Sequence, residues 1–174
     1  MVKIAIVNEK DEIIGAADRA EARKAGLFHR IARILVFNKQ GKVLLQKRSA
    51  VMEDSPGKWD FSAAGHVDEG EDYEEAALRE AKEELGLSLQ SLKPLLHFYT
   101  EKNQDGNRIR RFSMLFAATT EQKPKADLTE VAELKWLTLT ELDTMVAHRP
   151  NSFTTSFVGK YSEIIDAVRS AGLY

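Results

Sequence analysis

Arg79, Glu80, Glu83 and Glu84 stand within six consecutive residues of a segment whose pattern is helical. At roughly 100° per residue, the three carboxylates fall within an arc of roughly 100°. Ala77, Leu78, Ala81 and Leu85 gather beside them as a face turned towards a core. Like charges at these spacings repel by a few tenths of a kcal/mol per pair, so the cluster calls for compensation. A hard divalent cation such as Mg²⁺ or Mn²⁺ would supply it, because these ions take oxygen ligands from a few carboxylates together with substrate phosphates. Arg79 is placed to orient one carboxylate through a bidentate contact. For such a helix taken alone, the default reading is a solvated glutamate face paired with Arg79 and Lys82.

Other side chains could meet an anionic ligand. Lys47 and Arg48 close an apolar strand just before a loop, and Arg108, Arg110 and Arg111 lie on a later strand. An arginine fork binds phosphate, although the arginine run also suits a solvated hairpin edge guarded by charge. Trp59 and Phe61 could stack on a base, but large apolar residues at a strand start are expected in the core. His29 and His66 would need at least one further ligand to hold a metal, so they are expected as hydrogen-bonded histidines. The chain has no cysteine, which excludes a thiolate metal site, a cysteine nucleophile and a disulfide framework, and fits a reducing cytoplasm. The N-terminal MVKIAIVNEKDE turns polar after a few apolar residues, so no export signal is expected. A formal charge of −2 gives no overall pull towards nucleic acid or an anionic membrane.

The elements that must position these groups can be read from period and turn chemistry. The 174 residues, 43% hydrophobic and 30% charged, suit one soluble globular domain. VKIAIVN and EKDEIIG read as two strands, followed by a short helix in DRAEARKAG with Asp18 as N-cap and Gly26 as terminator. HRIARILVFN and KVLLQKRS flank NKQG and read as a hairpin. SAVMEDSPGKWDF is expected as a surface loop returning to a strand at Trp59. A central helix spans Glu71 to Leu85 with Gly86 as its C-cap. PLLHFYTEK and RRFSMLFAAT form two strands around NQDGN, VAELKWL forms a shorter one, and LTLTELDTMV and SEIIDAVRSAG are helices capped by Thr138 or Thr140 and by Ser162. Interleaved helices and strands of this kind favour an α/β/α sandwich over a barrel.

The spacing around the central helix overturns the solvated default. Gly65, five residues, Glu71, seven residues and then Arg79-Glu80-Ala81-Lys82-Glu83-Glu84-Leu85-Gly86-Leu87 matches the Nudix box at each charged and glycine position. Seven such identities would arise by chance in fewer than about one in a million chains of this length. The chain therefore resembles the Nudix hydrolases. The resemblance implies an α/β fold, a Nudix-type α/β/α sandwich with a mixed central sheet and a short N-terminal β-hairpin/helix extension. Residues 1–174 would form one domain, with the extension at 1–28, the core at 29–174 and the box at 65–87. It further implies that Glu80, Glu83, Glu84 and a backbone carbonyl at Ala64 or Gly65 hold Mg²⁺ or Mn²⁺, that Arg79 orients the cluster, and that Glu71 supports the loop-to-helix junction. Gly65 would let backbone approach a metal-bound phosphate. The base that activates water would be Glu80, or a later-loop carboxylate at Glu101 or Glu130. Lys47, Arg48 and Arg111 are the expected substrate contacts. Ala81 departs from the larger aliphatic residue usual in the box, which implies tight helix packing.

Within that superfamily, the Gly65-His66 pair and the start of the strand at His29 also resemble type I isopentenyl diphosphate isomerases. Ala64 stands where those isomerases carry a catalytic cysteine, Ile109 and Arg111 stand at the places of their acidic pair, and Ala22 lies near the place of a second N-terminal histidine. Carbon protonation cannot proceed without such groups. Expected instead is cytoplasmic, metal-dependent hydrolysis of a small-molecule diphosphate, a nucleoside diphosphate or triphosphate derivative, with no membrane or specific nucleic-acid partner. The alternative is a non-catalytic nucleotide-binding module. The oligomeric state stays open, a homodimer included.

Overall fold

A computed structural model describes residues 2–173, so the expected end of the core at Tyr174 lies outside the described residues. In chain order its elements are β1 (Ile4–Val7), β2 (Ile13–Ala17), α1 (Arg19–Lys24), β3 (Phe28–Phe37), β4 (Val43–Arg48), β5 (Trp59–Asp60), β6 (Ala63–His66) and α2 (Tyr73–Leu85). There follow β7 (Lys93–Gln104), β8 (Asn107–Thr119), β9 (Val131–Leu137), α3 (Leu139–His148), a 3₁₀ turn, α4 (Thr155–Val158) and α5 (Tyr161–Ser170). No helix among the described residues is long and apolar enough to cross a membrane.

The hub of the mixed sheet is β3. One edge runs parallel to β8 along its whole length, from Phe28 opposite Arg110 to Phe37 opposite Thr119. The other edge is shared by three antiparallel partners in succession: β1 at residues 28–29, β6 at 31–34 and β4 at 36–37. The expected hairpin between HRIARILVFN and KVLLQKRS therefore has only two rungs beside its Asn38–Gly41 turn. Beyond them this edge of β4 leaves β3 and pairs with β5, while β9 runs along the other edge from Val43 to Arg48. Ser62 fills the place where the strands part: its hydroxyl donates to the Leu44 carbonyl and accepts from the Val36 amide. This sharing of one edge places β4, β6 and β8 around a common centre.

Both faces of β3 are covered, which is why the strand reads as a nearly continuous apolar run. Ala32, Ile34 and Val36 pack with Ala76, Ala77, Ala81 and Leu85 of α2, while Leu35 and Phe37 pack with Phe157, Ile164 and Val168 of the C-terminal helices. The result is the expected α/β/α sandwich. Burial of a leucine such as Leu85, with no exposed surface, contributes about 1.5–3 kcal/mol. Alanines face alanines between α2 and the sheet, and this lets the helix lie close to β6.

The helix is fixed at both ends. Asp72 accepts from the Glu75 amide while Glu75 accepts from the Asp72 amide, both at 2.9 Å, a reciprocal cap that starts α2 at Tyr73 rather than at Glu71. Gly86 ends it with φ of 64°, and the Leu87 amide reaches back to the Ala81 carbonyl. Thr138 forms the same kind of cap with Glu141 on α3. Asp18 precedes α1 without a side-chain cap, and α5 starts at Tyr161, so Ser162 lies inside the helix and does not cap it. The N-terminal hairpin is more than an appendage: β1 is hydrogen-bonded to β3, and Arg110 of β8 donates to the Gly26 carbonyl.

Candidate active site

Above β3 and between α2, β4 and β8 lies a cavity of about 750 Å³, a size suited to a small-molecule ligand. One wall is acidic. It is built by Glu80, Glu83 and Glu84 from α2, with Glu130 from the loop before β9 and Asp68 from the loop before α2.

The helix period delivers all three glutamates to this wall, but to different depths. Glu83 is exposed, Glu80 keeps 13% of its side chain in contact with solvent, and Glu84 is 4% exposed. The shared side follows the helical spacing, but the depths differ. Glu84 lies under the rim, where its Oε2 accepts from Gln46 Nε2 at 2.8 Å and from the Ala64 amide at 3.1 Å. Desolvation, reinforced by the neighbouring Glu80 charge, pushes its carboxyl well above the usual range. Glu80 is raised to about 7, mainly by burial and against the pull of Arg79.

Arg79 holds the cluster in place. Its Nε and one terminal nitrogen bind Glu71 bidentately at 2.8 and 3.0 Å, the same nitrogen donates to the His66 carbonyl, and the other reaches Glu80 at 2.6 Å and Glu83 at 3.2 Å. Glu71 also accepts from the Asp68 amide. It therefore ties the loop to the helix. Gly65 lies directly against Glu80: a Cβ there would sit 1.9 Å from Glu80 Oε1. The glycine thus makes room for a protein carboxylate, a reason different from the expected approach of a phosphate.

This donor set suits a hard cation. It offers oxygen alone, and two of its carboxylates are desolvated next to one another without enough positive charge to keep them ionised. The carboxylates do not converge on a point, however. Among the described residues no three acidic or histidine side chains stand in ligand geometry, because Arg79 draws Glu80 and Glu83 while Gln46 holds Glu84. Arg79 engages Oε1 of Glu80, which leaves Oε2 as the oxygen this residue would offer an ion.

The opposite side of the cavity is basic. Arg33, Arg48 and Arg111 reach it from β3, β4 and β8, and Lys102 from β7. Arg48 donates to the Asp54 carbonyl at 2.8 Å and lies 3.6 Å from Asp60, while Arg111 and Lys102 hold the Asp54 carboxylate at 3.3 and 2.7 Å. His29 is buried beneath Arg111. Its Nδ1 lies 3.0 Å from the Leu27 carbonyl, and its Nε2 accepts from Arg111 Nε at 3.3 Å. Burial, and then the Arg111 charge, hold His29 down to about 4, so the ring is neutral near pH 7. His66 stacks on it at 5.3 Å. Both ring nitrogens of His29 are engaged, in line with the expected hydrogen-bonded histidine.

Several candidates fall elsewhere. Lys47 is not among the residues that line the cavity. Strand alternation turns it away from Gln46 and Arg48, and its Nζ lies 4.0 Å from Glu133. Arg108 pairs with Glu101 at 2.6 Å on the exposed β7–β8 ribbon; Glu101 lines the cavity but is committed to that cation. Arg110 lies 4.0 Å over the Phe28 ring. Trp59 and Phe61 are buried in the core, as expected. Sequence reasoning missed Gln46 and Arg33. Arg33 interrupts the apolar run from Ile31 to Phe37 in β3, a signal that could have found it, whereas Gln46 stands with Lys47 and Arg48 at the polar end of β4 and had none.

Known proteins match this chain in sequence and in fold. A family model described as the NUDIX domain matches residues 27–157. An isopentenyl-diphosphate Delta-isomerase 2 of Photorhabdus laumondii is 33% identical over 155 residues, covering 88% of this chain and 87% of its own. An uncharacterised Nudix hydrolase of Pseudomonas aeruginosa is 34% identical over 134 residues, covering 77% of each chain. A crystal structure of a Deinococcus radiodurans protein superposes with a TM-score of 0.69 at 27% identity, over 84% of this chain and 89% of the other.

Proposed function

The chain belongs to the Nudix family as a hydrolase, and from that premise we propose that it cleaves the phosphoanhydride of a nucleoside diphosphate or triphosphate derivative with a divalent cation, Mg²⁺ or Mn²⁺. The observation that carries this reading is the bipolar cavity, in which Glu80, Glu83 and Glu84 face Arg48 and Arg111. Glu80, Glu83 and Glu84 would hold the cation, with a backbone carbonyl near Gly65. A bound divalent ion neutralises diphosphate oxygens and lowers the pKa of water.

The protein groups divide the remaining work. Arg79 fixes Glu80 against Gly65, and Glu80 is the group that would accept the proton of the attacking water. Its pKa near neutrality is where a general base is most effective. Glu130, on the same wall, is the second candidate for that role. Arg48 would hold the oxygens of the cleaved diphosphate against displacement, with Arg111 beside it as a further substrate contact.

The name of the Photorhabdus relative favours a second reading, isomerisation of a prenyl diphosphate. That reading lacks its chemistry here. The Ala64 side chain carries no acidic proton to transfer, and its amide is engaged by Glu84. Arg111 is bound to His29 and Asp54. A panel of nucleoside, sugar-nucleotide and prenyl diphosphates, assayed with and without Mg²⁺ or Mn²⁺, tests the proposal. Metal-dependent release of phosphate or a nucleotide is expected. Turnover of no member would leave a binding module, and isomerised prenyl diphosphate would restore the second reading.

A further inference from the structure

Arg33 lines the cavity but has no part in the hydrolytic machinery. It lies in the middle of β3 with 3% of its surface exposed, between the rings of Phe61 and Phe98 at 4.9 and 5.9 Å from their centroids. Its Nε donates to Ser113 Oγ at 3.2 Å. Among the described residues neither terminal nitrogen donates to a protein acceptor, and no carboxylate lies within ion-pair distance of the guanidinium. The nitrogens are not sealed in either, since the sealed side-chain atom without a partner among these residues is Gln104 Oε1. They open onto the cavity that Arg33 lines. A buried guanidinium without a counter-ion is costly, and an apolar residue of its length would suit a site between two phenyl rings better.

The charge around it is unbalanced. Arg33, Arg48, Arg111 and Lys102 face Asp54 and Asp60, and both nearby histidines are held neutral by burial. The strongest charged neighbours of Arg33 are Asp60, Arg111, Arg48 and Asp54, while those of Glu80 and Glu84 are Arg79, Glu83 and Glu130. The basic pocket is therefore a separate charge group from the acidic wall, and Arg19 and Lys160 line it too, Lys160 paired with Glu163, so positive charge is in excess. A phosphate dianion answers such an excess better than a carboxylate, which supplies one charge.

The geometry points to Arg33 and Arg111 as a binding site for a second phosphate of the substrate, carried beyond the cleaved linkage, so that the substrate class is a polyphosphorylated compound and not a diphosphate with an apolar tail. This rests on the hydrolase reading for the cleaved bond, but the pocket itself can be tested without turnover. Inorganic phosphate, titrated into the metal-free full chain in EDTA, should raise the melting temperature of wild type saturably. Arg33→Met should melt at or above the wild-type temperature in the absence of phosphate and bind phosphate at least about tenfold more weakly. Arg111→Met should show a similar loss.

Equal phosphate binding by wild type and both variants would overturn the assignment, as would an absence of phosphate binding by wild type. Failure of Arg33→Met to fold would also overturn it, by making the charge structural. Where turnover is found, the preference for a nucleoside triphosphate over the matching diphosphate should shrink about tenfold in Arg33→Met. An unchanged preference would count against the site. Loss of the hydrolase reading would appear separately, as metal-independent phosphate binding without turnover of any substrate.

Discussion

The two walls of the cavity are built in opposite ways. The acidic wall comes mainly from one helix, and Arg79 gathers its glutamates through contacts spanning Glu71 to Glu83. The basic wall is assembled from β3, β4, β7 and β8, so its members are far apart in the chain and meet only through strand pairing. Both bury charge, yet the acidic wall does so with too little positive charge and the basic wall with too much. A ligand that carries a cation to the first wall and phosphates to the second would satisfy both. The contrast gives each wall its own signature under mutation.

The largest effect is expected where the acidic wall is broken at Glu80. Glu80→Gln removes the proposed base and one ligand charge, and should lower kcat by about 10²–10⁴-fold with unchanged circular dichroism. Gly65→Ala should reproduce much of that loss without touching a charge, since the added Cβ would collide with the Glu80 carboxylate. Misplacement by about an ångström is enough for roughly 10²-fold. Wild-type turnover in Glu80→Gln at saturating metal and substrate would remove the helix from the mechanism.

The walls should also oppose one another in pH. Glu80 holds its proton more tightly in the folded chain, at about 7 against an ordinary 4.5, so the stability it contributes falls as pH rises through that window. His29 holds its proton more weakly when folded, at about 4 against 6.5, so its contribution rises with pH from about 4 to 6.5. Each shift corresponds to at most about 3 kcal/mol, or roughly 6–12 °C in melting temperature for a chain of this size. In metal-free buffer, Glu80→Gln should steepen the rise in melting temperature between pH 4.5 and 6.5, and His29→Asn should abolish most of it. Superimposable pH profiles for wild type and both variants would show that neither group is perturbed as described.

The same contrast explains what could be read from the amino-acid sequence. Spacing on a helix is local and regular, so Glu80, Glu83, Glu84, Arg79 and Gly65 could be placed on a common site before any coordinates. Depth could not. Glu84 is buried because Gln46, 38 positions away, and the Ala64 amide close over it, and that closure depends on the pairing of β3 with β6 and the departure of β4. Arg33 and Arg111 share a face because β3 and β8 run parallel with His29 opposite Arg111, a register that no turn residue announces. The HRIARILVFN hairpin forms, but its short extent was hidden for a related reason. Its turn was legible, but the competition of β1, β6 and β4 for one edge was not.

The smallest expected effect separates two neighbours that the sequence treated alike. Lys47 and Arg48 both end β4, yet alternation sends them to opposite sides, Lys47 towards Glu133 and Arg48 into the cavity against Asp54. Lys47→Ala should leave kcat/KM within about twofold of wild type, because an exposed pair 4.0 Å apart contributes little and lies outside the site. Arg48→Ala removes a charge-assisted hydrogen bond and a cation facing the substrate, and should lower kcat/KM about tenfold, mostly through KM. Steady-state kinetics on one substrate decides between them. Equal losses in the two variants would mean that the end of β4 acts as a diffuse positive patch and not through the single side chain that strand alternation selects.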